Sequence, residues 1–170
     1  MGSTTLDIPA MALGIMRMDQ KSIPEAQVAI QAAYDSGINF IDSADIYGGG
    51  KSEEVFGQAL KQMNLKRDDL FIQSKTGIVP GKRYDFSKDY ILKGVDGILD
   101  RMGLDYLDAL VLHRPDALFD PEEVAVKPLI NCKLAVKYVS LVFLTLMQPN
   151  LNYCKVHWAS VWCSTNCNLV

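Results

Sequence analysis

No cysteine occurs before Val126, and no aspartate, glutamate or glycine occurs after it. The first absence leaves the front of the chain without a disulfide framework or a thiolate metal site. The second strips the remainder of acidic charge and of the residue that most readily makes tight turns. Positive charge is not in excess either. With 17 Lys and Arg against 20 Asp and Glu, the net charge is -3 and the isoelectric point near 5.3. No basic patch is evident to hold a phosphate backbone, so nucleic acid is not an expected partner. Long apolar runs are also missing: Val139 to Met147, the longest, is far short of the roughly 18 residues that span a bilayer. The N-terminus shows no charged and apolar leader, and the expectation is a cytoplasmic protein with no membrane partner.

What is present is a chain of 170 residues, 49% hydrophobic and 22% charged, the balance of a globular protein with one core. A seam near Val126 divides it. Both tryptophans and all four cysteines follow the seam, while all 20 acidic residues and all 12 glycines precede it. The front carries 13 − 20 = −7 charges and the tail +4, which sum to −3. Residues 1–126 and 127–170 are therefore read as separate parts.

The front reads as strand and helix units of about 30 to 40 residues, the spacing of parallel strands joined by crossover helices. Met11 to Met16 is a candidate first strand. Ser22 opens a helix, with Glu25 at capping-box spacing and Pro24 in the first turn; Val28, Ile30, Ala32 and Ala33 supply apolar surface, and Gly37 ends it. The second strand is Ile38 to Asp42. A loop from Ser43 to Lys51 leads to a helix from Ser52, with Glu53 and Glu54 favouring its positive end and Val55, Phe56, Ala59, Leu60 and Met63 forming its buried face.

Leu70 to Lys75 is the third strand, followed by a longer loop through Gly77, Pro80 and Gly81 that would face substrate. A helix starts near Ser87, spaces Ile91, Val95, Ile98, Leu99 and Met102 helically, and stops at Gly103. The fourth strand is Tyr106 to Leu112. Asp120, Pro121, Glu122 and Glu123 resemble the start of a fourth helix. Four units are visible, where a closed parallel barrel needs eight.

Asp42 and Lys75 end their strands, His113 follows the fourth, and Tyr47 lies in the loop after the second. Strand-end side chains converge in a parallel barrel. A tyrosine near a lysine and an aspartate makes a proton donor for a carbonyl oxygen, because the ammonium favours the phenolate left behind. Alone, each has an ordinary explanation: a helix cap, a loop aromatic, a solvated lysine, a packed histidine. Their joint order and spacing does not. The triple glycine at 48–50 has no Lys and Ser/Thr at the spacing of a phosphate-binding loop, and is read as a turn.

The string from Gly37 through Asp42-Ser43-Ala44-Asp45-Ile46-Tyr47 to Gly50 resembles the second-strand signature of the aldo-keto reductases. Phe71 to Lys75 resembles that family's strand carrying the catalytic lysine, and Leu107 to Asp116 its strand carrying the histidine. The resemblance covers roughly residues 10 to 125. It implies an α/β fold of the TIM (β/α)8 barrel class, here about the first four units with an irregular tail, reducing aldehydes or ketones with NADPH. Tyr47 would be the general acid, Lys75 its activator, Asp42 the holder of Lys75, and His113 the group that orients the carbonyl. Met16 and Asp42 match positions near the nicotinamide. The implied partner is a small carbonyl substrate. With only about four of the eight units visible, the activity is expected to be impaired by truncation; related barrels also serve as nonenzymatic, nucleotide-holding regulatory subunits, and that reading and an inactive fragment are the alternatives.

Past Val126 the family would continue with a helix and a strand containing Gly-Lys-Val-Arg and Phe-Gly-Val-Ser-Asn, and neither string is present. Displacing the reading frame by one base from the Val126 codon permits both strings, which points to a frameshift. On that reading the tail's motifs are accidental. Cys154, His157, Cys163 and Cys167 fit no standard zinc spacing, so no metal is expected, and Cys167 to Val170 is a poor prenylation box. Val139 to Met147 is an aggregation hazard, and open barrel edges would favour self-association.

Overall fold

The computed structural model describes residues 10–113, together with the backbone course of two later strands, Val136–Ser140 and Val161–Trp162. Strand β1 is Leu13–Gly14, helix α1 Ile23–Asp35, β2 Phe40–Asp42, α2 Lys51–Lys61, β3 Phe71–Thr76, and α3 Lys88–Met102. A small hairpin, β4 Ile78–Val79 with β5 Arg83–Tyr84, stands between β3 and α3, where sequence shows only a loop. β6 is Leu107–Leu112, β7 Val136–Ser140 and β8 Val161–Trp162.

The sheet order is β1-β2-β3-β6-β7-β8, parallel from β1 to β7 and antiparallel at β8. Strands taken in sequence order, joined by α1, α2 and α3, are the first four units of a parallel barrel. β7 pairs with both β6 and β8, so Val139 and Ser140, the start of the run read from sequence as an aggregation hazard, are paired within the sheet; the rest of that run lies outside the described residues. The Asp120 helix start and the tail's cysteines also lie outside them.

Local signals account for the helices. Glu25 accepts the Ser22 backbone N–H at 2.8 Å and its hydroxyl at 2.7 Å, closing the first turn of α1. Ser87 caps α3 by accepting the Tyr90 N–H, and Gly103 ends it with a left-handed φ of 64°. The helices pack side by side in chain order. They bury Ile30 from α1, Phe56 and Ala59 from α2, and Ile91, Val95, Ile98 and Met102 from α3 against Ile41, Ile72 and Leu110 of the sheet. Every residue of β6 is buried, as expected for a strand covered on both faces. One apolar face was misassigned from sequence. In α1 the buried residues are Ala26 and Ile30, while Val28 is 70% exposed and Ala32 is also outward. The 3.6-residue period puts 26, 30 and 33 on one stripe and 28 and 32 on the other.

The period of two along each strand sorts the polar side chains. Phe40 and Asp42 share one face of β2, and Phe71, Gln73 and Lys75 the matching face of β3; Phe40 and Phe71 are registered partners whose rings meet edge to face at 5.2 Å. Ser74 and Thr76 point the other way, toward the helices.

Candidate active site

The C-terminal ends of β2, β3 and β6 bring together all four residues expected from sequence to act. The Lys75 ammonium is 2.7 and 2.8 Å from the two carboxylate oxygens of Asp42 and donates to the Ser43 carbonyl at 2.7 Å. Its third neighbour is the Tyr47 hydroxyl at 3.4 Å. Lys75 is only 5% exposed, so this ammonium is held by fixed oxygens rather than by bulk water. Gln73 donates to Asp42 at 2.8 Å, which orients the carboxylate toward Lys75.

Tyr47 reaches this cluster because the chain leaves β2 in register with β3 for two more steps: the Ser43 N–H donates to the Gln73 carbonyl and the Asp45 N–H to the Lys75 carbonyl, each at 2.9 Å. A short turn, Tyr47–Gly50, then reverses the chain into α2. Its three glycines all have positive φ, from 58° to 93°, a run that side-chain-bearing residues resist. His113 continues the period of β6, with its N–H donating to the Thr76 carbonyl at 2.8 Å. Its ring stands nearly perpendicular to that of Tyr47, with centroids 6.2 Å apart. Met16 follows Ile15, whose N–H donates to the Asp42 carbonyl, and is 52% exposed at this end of the sheet.

Behind the four lies a second polar layer that sequence reasoning missed. Glu53, fully buried at the start of α2, accepts the Ser43 hydroxyl at 3.1 Å, the Ser74 hydroxyl at 2.8 Å, and Arg101 Nε and Nη2 at 2.9 and 2.7 Å. Its role is thus larger than favouring the helix end. Asp45 accepts the Thr76 hydroxyl at 2.6 Å through one oxygen, and the Ile46 backbone amide also favours its charged form. Burial pushes the Asp45 carboxyl up to about 6, with the neighbouring Glu53 charge adding to the rise and the Thr76 bond opposing it. The available clue was Ser74 and Thr76 alternating with Gln73 and Lys75: a buried strand polar on both faces requires polar partners in the helix layer.

A sequence model of the Aldo/keto reductase family matches residues 10–154. The chain belongs to this family. The match runs past Val126 and takes in β7, beyond the stretch of roughly 10–125 carried by the motifs. Among relatives, a 6-dehydroglucose reductase of Novosphingobium aromaticivorans is 36% identical over 133 residues, covering 74% of this chain and 44% of the relative. A probable voltage-gated potassium channel subunit beta of Oryza sativa subsp. japonica is 36% identical over 108 residues, covering 62% and 33%. The holo form of aldo-keto reductase AKR11C1 from Bacillus halodurans superposes with a TM-score of 0.70 at 27% identity, covering 84% of this chain and 49% of that one. The chain thus spans less than half the length of each of these relatives. The fold is that family's TIM barrel, represented by its first units. Among the described residues no helix is long and apolar enough to cross a membrane.

Proposed function

We propose that this chain carries the proton-donating half of an NADPH-dependent reductase of aldehydes or ketones. The observation that supports it best is the Lys75 ammonium fixed between Asp42 and the Tyr47 hydroxyl. Tyr47 gives its proton to the carbonyl oxygen. The positive charge 3.4 Å away favours the phenolate that remains, and Asp42 holds that charge in place. His113, across the Tyr47 ring, orients the carbonyl oxygen.

Reduction also needs a hydride, which a nicotinamide cofactor, when bound, would supply to the carbonyl carbon. The described residues fit the small reacting end of such a group: Met16 offers exposed apolar surface at the end of β1, beside the Asp42 segment. The setting we assign is cytoplasmic, with no membrane or nucleic-acid partner. Self-association would run along the exposed edges of the barrel sheet, of which β1 is one. We also infer that the residues after Val126 come from a displaced reading frame, which sequencing the encoding DNA through and beyond that codon tests.

A second reading, a nonenzymatic nucleotide-holding subunit, is favoured by the potassium channel subunit among the relatives. Tyr47→Phe separates the two. A reductase loses turnover about 10²- to 10⁴-fold while keeping its NADPH affinity; a holding subunit has no turnover to lose, and both forms bind NADPH alike.

A further inference from the structure

Glu53 is the most completely buried charge described, and it touches neither Lys75 nor Tyr47. Two of its four hydrogen bonds nevertheless come from the residues that flank the Lys75 ammonium in space or in sequence, Ser43 and Ser74. Ser43 connects the two layers: its hydroxyl, on the helix side, donates to Glu53 at 3.1 Å, while its carbonyl, on the opposite side, accepts the Lys75 ammonium at 2.7 Å. Ser74, immediately before Lys75 in β3, donates to the same Glu53 oxygen at 2.8 Å. Arg101 of α3 occupies the other oxygen with two nitrogens.

The packing around Arg101 is close. A Cβ on Gly50 would lie 2.8 Å from Arg101 Cδ, and one on Gly97 would lie 2.9 Å from its Nη1. The chain is therefore without side chains on both sides of the guanidinium's path. A buried carboxylate tied to two serines and a forked arginine is rigid, because each bond lost would leave buried charge unsatisfied.

We propose that Glu53, braced by Arg101, is a positioning residue that acts through Ser43 to hold the Lys75 ammonium at its place between Asp42 and Tyr47. Strand pairing brings Ser43 alongside β3, and the Glu53 tether stops its carbonyl from swinging away from the ammonium. This rests on the reading of Tyr47 as the acid activated by Lys75. It adds a role for a helix-borne residue outside the four that meet at the strand ends.

The test follows the Lys75 ammonium protons by nitrogen–proton NMR of the full chain, which needs no turnover. In Ser43→Ala, exchange of these protons with water speeds up about tenfold, the equivalent of about 1.4 kcal/mol of lost restraint; Ser43→Thr, which keeps the hydroxyl, restores slow exchange. Arg67→Lys, at the opposite strand ends, controls for general loss of stability and leaves the exchange slow. Arg101→Lys, which keeps a cation but loses the fork, speeds exchange in the same direction and serves if Ser43→Ala does not fold. Exchange as slow in Ser43→Ala or Arg101→Lys as in the parent overturns the proposal, as does equal acceleration in Arg67→Lys. A chain that reduces no carbonyl but shows this contrast contradicts the proposed activity and leaves the Glu53 role standing.

Discussion

The Asp42 carboxylate meets the Lys75 ammonium through both oxygens, at 2.7 and 2.8 Å, across neighbouring parallel strands. Lys75 sits two residues beyond Gln73, the registered partner of Asp42, so its side chain leans back over the strand end to make the contact. Asp42 also accepts Gln73, and the pair is more buried on the lysine side than on the aspartate side. Asp42→Asn keeps the shape and removes the charge. We expect turnover to fall about 10- to 100-fold and stability to fall by about 1 to 2 kcal/mol, less than for a fully buried pair because Asp42 is partly solvated. Urea unfolding and steady-state kinetics on the same preparation check both numbers.

Asp45 sets a pH dependence of stability. Its carboxyl titrates at about 6 in the folded chain against 3.8 ordinarily, so folding favours its protonated form. The stabilisation is complete below about pH 4 and is lost as pH rises through 6. The groups around it are Thr76, Glu53, Arg101 and Tyr90. Asp45→Asn removes this titration, and we expect it to be more stable than the parent by about 1 to 2 kcal/mol near pH 8 and close to the parent near pH 4. Unfolding midpoints across that range are the check; a constant difference at all pH values contradicts the assignment.

How far the sequence could be read depended on whether a feature is local. Ser22 with Glu25, Ser87 and Gly103 mark helix ends through contacts within a turn, and those ends were legible. Strand positions were legible too, although β1 and β2 are shorter than their apolar runs because only part of each run finds a paired neighbour. The four candidate residues were legible because three lie at or just beyond a strand end and Tyr47 lies in the loop that follows β2. Glu53 and Arg101, separated by 48 positions, form a pair that only the packing of α2 on α3 creates. The outward Val28 was hidden for a related reason: an apolar residue does not report which side of its helix faces the sheet.

The packing of α2 on α3 yields a prediction whose sign depends on magnitude. A Cβ on Gly57 would lie 2.4 Å from the Met102 carbonyl oxygen, a backbone atom that cannot rotate aside. Alanine gains about 1 kcal/mol of helix propensity over glycine. Overpacking against backbone costs about 1 to 3 kcal/mol or more. The clash wins, and Gly57→Ala lowers stability by about 1 to 2 kcal/mol. A thermal melt showing higher stability would mean that α2 and α3 are not held as closely as described.

The central claim is that Tyr47 donates the proton in a hydride-transfer reduction, and isotope tracing tests it most directly. The full chain is incubated with NADPH deuterated at the transferred position and a small aromatic aldehyde, and the alcohol is analysed by mass spectrometry and NMR. The account predicts deuterium on the carbinol carbon with the parent chain and a loss of about 10²-fold or more with Tyr47→Phe at unchanged NADPH affinity. No deuterium transfer by the parent, or transfer at the same rate by Tyr47→Phe, would contradict it.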